Sequence, residues 1–110
     1  MKLKIYFYKS SSGKEIIRDY IELLDWNTIT AIDAFFSRFK SDESFRRMPY
    51  CRKLRGNIFE MRIKTEQGYR ILFAYMLDDV VLLLHIFKKK SNKIPKKELK
   101  LAIKRLKLYV

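Results

Sequence analysis

Apolar and polar residues alternate with a period of two through much of the second half of the chain, which predicts strands with buried faces. From Asn57 to Lys64, Phe59, Met61 and Ile63 alternate with Glu60, Arg62 and Lys64, so this strand is expected to bury one face and turn its charges outward. Glu66, Gln67 and Gly68 make a turn. Tyr69 to Leu77 then places Tyr69, Ile71, Phe73, Tyr75 and Leu77 on one face and Arg70, Leu72, Ala74 and Met76 on the other. Asp78-Asp79 is a second tight connection, although it lacks the glycine of a strong hairpin signal. Val80 to Phe87 is apolar on both faces, which places it centrally in a sheet or beneath a helix or a partner.

Ahead of these strands, Leu3, Ile5 and Phe7 alternate with Lys4, Tyr6 and Tyr8, a strand over residues 3 to 8 that Ser10 to Gly13 ends. Ser12 followed by Glu15 fits a capping box for a helix from Gly13 to Leu24, with Ile16, Ile17, Tyr20, Ile21 and Leu24 at helical spacing. Asn27 or Thr28 caps a second helix carrying Ile29, Ile32, Phe35, Phe36 and Phe39, and so short a connection implies a hairpin packed on one sheet face. Ser41 to Pro49 is polar and interrupted, with Phe45 and Met48 to anchor one helical turn, and Cys51 to Arg55 leads through Gly56 into the strands. Beyond the last strand, Ser91 to Ile94 turns and Pro95 suits the first position of a final helix. Leu99, Ala102, Ile103 and Leu106 form its apolar stripe and lysines cover the rest. Residues 1–110 thus read as one α+β domain: an N-terminal strand, a two-helix hairpin, a three-strand antiparallel meander and a basic C-terminal helix.

Charge changes this picture because it is uneven. The net charge is +13, of which residues 1–50 hold +2 and residues 51–110 hold +11, so the positive field belongs to the sheet and the last helix. Such a field attracts phosphate polymers or acidic protein surfaces. One cysteine, Cys51, forms no internal disulfide and fits a reducing cytoplasm as a small buried hydrophobe. One Cys and one His make no metal cluster without carboxylates. Polar Lys9 to Ser12 cuts the N-terminal apolar run too early for a signal peptide, and no stretch reaches the length of a membrane span.

The runs Lys53-Leu54-Arg55-Gly56-Asn57-Ile58-Phe59-Glu60-Met61-Arg62, Gly68-Tyr69-Arg70-Ile71-Leu72-Phe73 and Leu84-His85-Ile86-Phe87-Lys88-Lys89-Lys90, with Pro95 five residues on, resemble the phage-derived, HigB-like branch of the RelE/ParE toxin superfamily. The order of elements is similar as well, so the likeness covers nearly the whole chain. It implies a RelE-like fold and the toxin of a type II toxin-antitoxin pair, a ribosome-dependent mRNA endonuclease that uses no metal or cofactor. Its implied partners are mRNA on the ribosome and a cognate helix-turn-helix antitoxin of the HigA type. Cutting RNA without metal needs a base for the attacking 2'-hydroxyl, cations for the phosphorane charge and an acid for the leaving oxygen.

The residues allow that chemistry. Arg62 and Arg70 share the parity opposite the main apolar face, so both can point toward one phosphate. Lys88 and Lys89 follow at a strand end, and His85 is the one side chain whose unperturbed pKa lies near neutrality. Lys53, Arg55, Lys90 and Lys93 complete the set as RNA contacts. Each has a plainer reading: His85 as a structural residue with one hydrogen bond, Arg62 tied to Glu60 or Glu66, the lysine run as a solvated strand end. Two other functions stay open, a non-nuclease toxin that inhibits DNA gyrase like ParE members, and a passive basic domain. In each case a partner is expected to cover apolar surface left by Val80 to Phe87.

Overall fold

The computed structural model describes residues 2–110 and shows five strands in one sheet, with helices on both faces. In chain order these are β1 (Lys4–Phe7), α1 (Ile16–Glu22), α2 (Trp26–Ser41), β2 (Cys51–Arg55), β3 (Ile58–Ile63), β4 (Tyr69–Tyr75), β5 (Val80–Lys88) and α3 (Lys96–Leu106). The sheet order is β1-β5-β4-β3-β2, antiparallel except for the parallel β1–β5 pair. The expected α+β order therefore holds, with β5 lying between β1 and β4 as its two apolar faces required.

The meander has one strand more than expected. Cys51–Arg55 pairs with β3, Cys51 opposite Met61 and Arg52 opposite Glu60. Its run of Arg, Lys and Arg hides the alternation, but at a sheet edge charged side chains are tolerated and guard against edge-to-edge pairing.

Both faces of the sheet are covered. On one, α1 and α2 pack Ile17, Ile21, Ile32, Phe35 and Phe39 against Met61, Ile63, Ile71, Phe73, Val81 and Leu83. On the other, Ala102 of α3, with Leu99, Ile103 and Leu106, meets Ile58, Leu72, Ala74, Leu82, Leu84 and Phe87. The faces of β4 are those that its alternation predicted, except that Leu77 lies beyond the strand and is 87% exposed. The expectation that β5 leaves apolar surface for a partner is not met over most of the strand, where Val81 to Leu84, Ile86 and Phe87 are buried within the chain, while Val80 at its start stays partly exposed beside Leu77.

Local signals also resolve differently. Gly13 (φ +83°) closes a turn in which its amide donates to the Ser10 carbonyl and the Lys14 amide donates to Ser10 Oγ. The helix consequently begins at Ile16, no Ser12–Glu15 capping box forms, and Glu15 instead accepts from Arg18 Nε at 2.7 Å. The cap of α2 is Asp25, not Asn27 or Thr28: its carboxylate accepts from the Thr28 amide (3.2 Å) and the Thr28 hydroxyl (2.6 Å). Phe45 anchors the helical turn Glu43–Arg46, while Met48 stays exposed. At the β4–β5 connection Asp78 and Asp79 both take φ +61°, the left-handed pair that a tight hairpin needs and that aspartate tolerates better than most side chains.

Candidate functional site

Strand register assembles two rows of side chains on the sheet face that also carries α3. Arg52, Glu60, Leu72 and His85 are successive partners across β2, β3, β4 and β5, and one step along, Arg62, Arg70 and Phe87 form the next row. Alternation had put Glu60 and Arg62 on a solvent face. The structure corrects this for Glu60, which is fully buried.

Glu60 is the centre of the arrangement. Arg52 Nε donates to its Oε1 at 2.9 Å, Arg62 Nε stands 3.7 Å from the same oxygen, and Arg70 Nε stands 3.2 Å from Oε2. Among the described residues no N–H is aimed at Oε2, so its contact with Arg70 is an ion pair rather than a hydrogen bond. A carboxylate is buried at this cost only where cations compensate it, and three arginines do so here. Their exposure is graded: the Arg70 side chain is 5% accessible, Arg62 20% and Arg52 34%. Burial pulls the Arg70 pKa down, Glu60 opposes that pull, and the neighbouring Arg62 and Arg52 add to it. Arg70 is thus a buried part of the frame and Arg52, the most exposed of the three, is held by hydrogen bonds to Glu60 and to the Asn92 carbonyl, whereas Arg62 is partly accessible and meets the carboxylate only as a 3.7 Å ion pair. Its Nη1 also touches Met48 Sδ at 3.9 Å.

The segment after β5 closes one side. Arg52 Nη2 donates to the Asn92 carbonyl at 3.1 Å, which ties the 89–95 connection back to the opposite edge strand. Lys89, Lys90 and Lys93 on that connection are exposed, and the Lys89 amide donates to the Gly68 carbonyl. Gly68 (φ +74°) turns the chain there, with the Lys89 stem where its Cβ would be in van der Waals contact. Lys88, opposite Tyr69, falls on the other pleat from Phe87 and is not brought to the arginine rows. Lys53, exposed and opposite Phe59, also lies on the hairpin-facing pleat. Arg55 sits at the far end of β2 beside Ile103 of α3 and Lys107, which caps that helix. Those two expected RNA contacts are therefore separate from the cluster.

His85 reaches the same face through a bulge. Leu72 pairs with His85 and Phe73 with Leu83, so Leu84 is the extra residue, and both Leu84 and His85 turn toward α3. The His85 Nε2 lies 3.0 Å from Glu98 Oε1, and its ring stacks on Phe87 with centroids 5.5 Å apart. Burial lowers the imidazole pKa, Glu98 works against that and Arg105 adds to it, which favours the neutral ring. With Nε2–H donated to the carboxylate, Nδ1 carries the free lone pair.

Neither Glu60, as the organising group, nor Arg52, Asn92 and Glu98 stood out in the sequence as site residues. The one signal was Glu60-x-Arg62 facing Arg70 on the next strand. Cys51 is buried, with its thiol pushed up to about 12, mainly by burial and next by Glu60. Among the described residues no three of His, Cys, Asp and Glu form a group able to hold a metal ion, and no helix is long and apolar enough to cross a membrane.

Among known families, the model described as phage derived protein Gp49-like (DUF891) matches residues 19–107, which reach from α1 to the end of α3. Comparison with curated proteins finds no match.

Proposed function

The chain belongs to the Gp49-like family of phage-derived proteins, which is part of the RelE/HigB-type toxin family, and on that premise we propose that it is the toxin of a type II toxin-antitoxin pair that cuts mRNA on the ribosome. The observation that carries the nuclease reading is the arginine cluster itself. Three guanidiniums converge on one buried carboxylate, which compensates one of three positive charges; Arg62 stays partly accessible, and the lysine-bearing connection is tied to Arg52.

In this reading Arg62 binds a non-bridging oxygen of the scissile phosphate and gains strength as charge develops there. Arg70 and Arg52 stay on Glu60, fixing the rows and adding to the field. Lys89, Lys90 and Lys93 take neighbouring phosphates, and Lys88 adds to the field from the other pleat. The 2'-hydroxyl forms the new O–P bond while the bond to the 5'-oxygen breaks, leaving a 2',3'-cyclic phosphate. His85 Nδ1 is the acceptor for the 2'-hydroxyl proton, Glu98 holding the opposite nitrogen, and a lysine of the 89–95 connection protonates the 5'-oxygen. An antitoxin with an acidic segment suits a chain of +13 and would screen the cluster.

Primer extension on mRNA, with and without programmed ribosomes, tests this. Cleavage confined to ribosomes is expected, with Arg62→Gln reducing it about a hundredfold, the scale of losing one charge-stabilising donor. A folded Arg62→Gln protein that cleaves normally refutes the assignment, and altered DNA supercoiling with intact mRNA favours gyrase inhibition instead.

A further inference from the structure

Where β3 runs beyond the start of β2, a groove opens between α2 and the edge of the sheet. Ala31, Ala34 and Arg38 line its α2 wall, Phe45 and Tyr50 the opposite one, and Arg62 and Lys64 are also among the residues lining a recess of about 320 Å³. The small side chains at residues 31 and 34 leave the space. Phe45 and Tyr50 are stacked, centroids 4.0 Å apart and planes at 17°, with the Arg38 guanidinium 4.8 Å from the Phe45 centroid on its way to a 3.4 Å contact with Asp42. The Tyr50 carbonyl accepts from the Arg62 amide, which fixes the aromatic wall to the cluster strand.

A second recess of about 510 Å³ adjoins it across Ala31 and Lys64 and is polar, with Asn27, Thr28, Thr65 and Gln67 in its lining together with the carboxylates Asp25 and Glu66, of which Asp25 is engaged by Thr28. An aromatic wall and three cations around the apolar part match a flat, apolar ligand attached to an anion; Arg38 and Arg62 already have carboxylate partners in Asp42 (3.4 Å) and Glu60 (3.7 Å), and Lys64 is the third cation. The amide and hydroxyl groups next door match hydrogen-bonding edges. An amphipathic partner helix needs a continuous apolar strip, which the polar recess interrupts.

We propose that this groove holds the base of the nucleotide next to the phosphate bound at Arg62, the base lying along the Tyr50 wall and its phosphate meeting Arg38 and Lys64. The proposal rests on the RNA-cleaving reading and adds to it a site that governs which flanking base is accepted.

The test uses the full chain with alanine methyls labelled and a 2'-O-methyl hexanucleotide, which cannot be cut. Ring-current shifts of the Ala31 and Ala34 methyls are expected, and Tyr50→Ala should weaken binding about tenfold. Ala34→Leu, an exposed helix position that tolerates the larger side chain, fills the groove without touching the fold. It should remove the Ala31 shift and alter the flanking-base preference of cleavage on ribosomes. If the wild-type chain and Ala34→Leu cleave equally and with the same base preference, the groove proposal falls and the nuclease reading stands. If the wild-type chain cleaves nothing, the nuclease reading falls and takes the proposal with it. Shifts of the same methyls with an acidic amphipathic peptide but not with RNA would make the groove a protein-docking site and overturn the proposal.

Discussion

Replacing Glu60 by glutamine changes the charge of one fully buried group and almost nothing of its shape, which makes it the most direct probe of the cluster. At separations of 2.9, 3.2 and 3.7 Å, an effective dielectric of about 20 gives each arginine–carboxylate pair roughly 4.5–6 kcal/mol of attraction before desolvation is subtracted. Most of that is offset by removing the ions from water. The relevant quantity is therefore the cost of leaving a buried guanidinium without its anion, about 3–5 kcal/mol when one partner of a buried pair is lost. Arg70, 4% exposed, suffers this in full, whereas Arg52 and Arg62 can turn to water. The glutamine oxygen still accepts from Arg52, so the lower end, about 3 kcal/mol, is expected. For a domain of this size that corresponds to a fall in Tm of roughly 10–15 °C. Thermal unfolding followed by circular dichroism measures it. The double variant Glu60→Gln, Arg70→Met should recover much of the loss, because the stranded charge is gone and a long apolar stem fills its place. A Tm within about 2 °C of the parent for Glu60→Gln would refute the claim that the carboxylate organises the arginines.

The other expectations are shorter. Because burial lowers the His85 pKa below its unfolded value, the unfolded chain takes up the proton first as pH falls; stability is full above about 6.5 and declines below it, toward the folded pKa. Urea midpoints at pH 7.5 and 5.5 should show a loss that His85→Gln lacks, and parallel losses in both proteins would exclude His85 as the cause. Cys51, buried and with its thiol at about 12, should resist a thiol reagent at pH 8 until the chain is unfolded, so immediate labelling of the native protein would contradict its placement. Under the proposed function, Lys89→Ala and Lys93→Ala should each weaken RNA binding and flatten its salt dependence without changing Tm, while Lys53→Ala, on the other pleat, should do neither; a gel-shift series over salt concentration decides.

The strands of this fold were legible because each buries a face that the period of two exposes in the sequence, and β5 announced its central place by being apolar on both. The missing strand, β2, was illegible for a physical reason: an edge strand needs no alternation, and Arg52, Lys53 and Arg55 mask the Cys51 and Leu54 that face the two cores. Helix starts were misplaced because the sequence offers several hydroxyls and carboxylates near each start, and only geometry decides which oxygen meets an orphan amide. Asp25 won over Asn27 and Thr28 by binding both the amide and the hydroxyl of Thr28.

The site was half legible for a related reason. Parity correctly put Arg62 and Arg70 side by side, since register pairs them directly, but parity carries no information about depth. Two like charges facing each other across a ladder repel, and that conflict is itself the clue: a third, opposite charge must lie on the same face within reach. Glu60, two residues before Arg62, is the one carboxylate on β3 that meets the requirement, and the Arg52 of the overlooked edge strand completes it. Under the proposed function, the same logic lets one cluster serve stability and phosphate binding together. Glu60 makes it possible to bury Arg70 and to aim Arg62, yet as a single anion among three cations it leaves the face positive, and in that proposal the residual charge is what an incoming phosphate would meet.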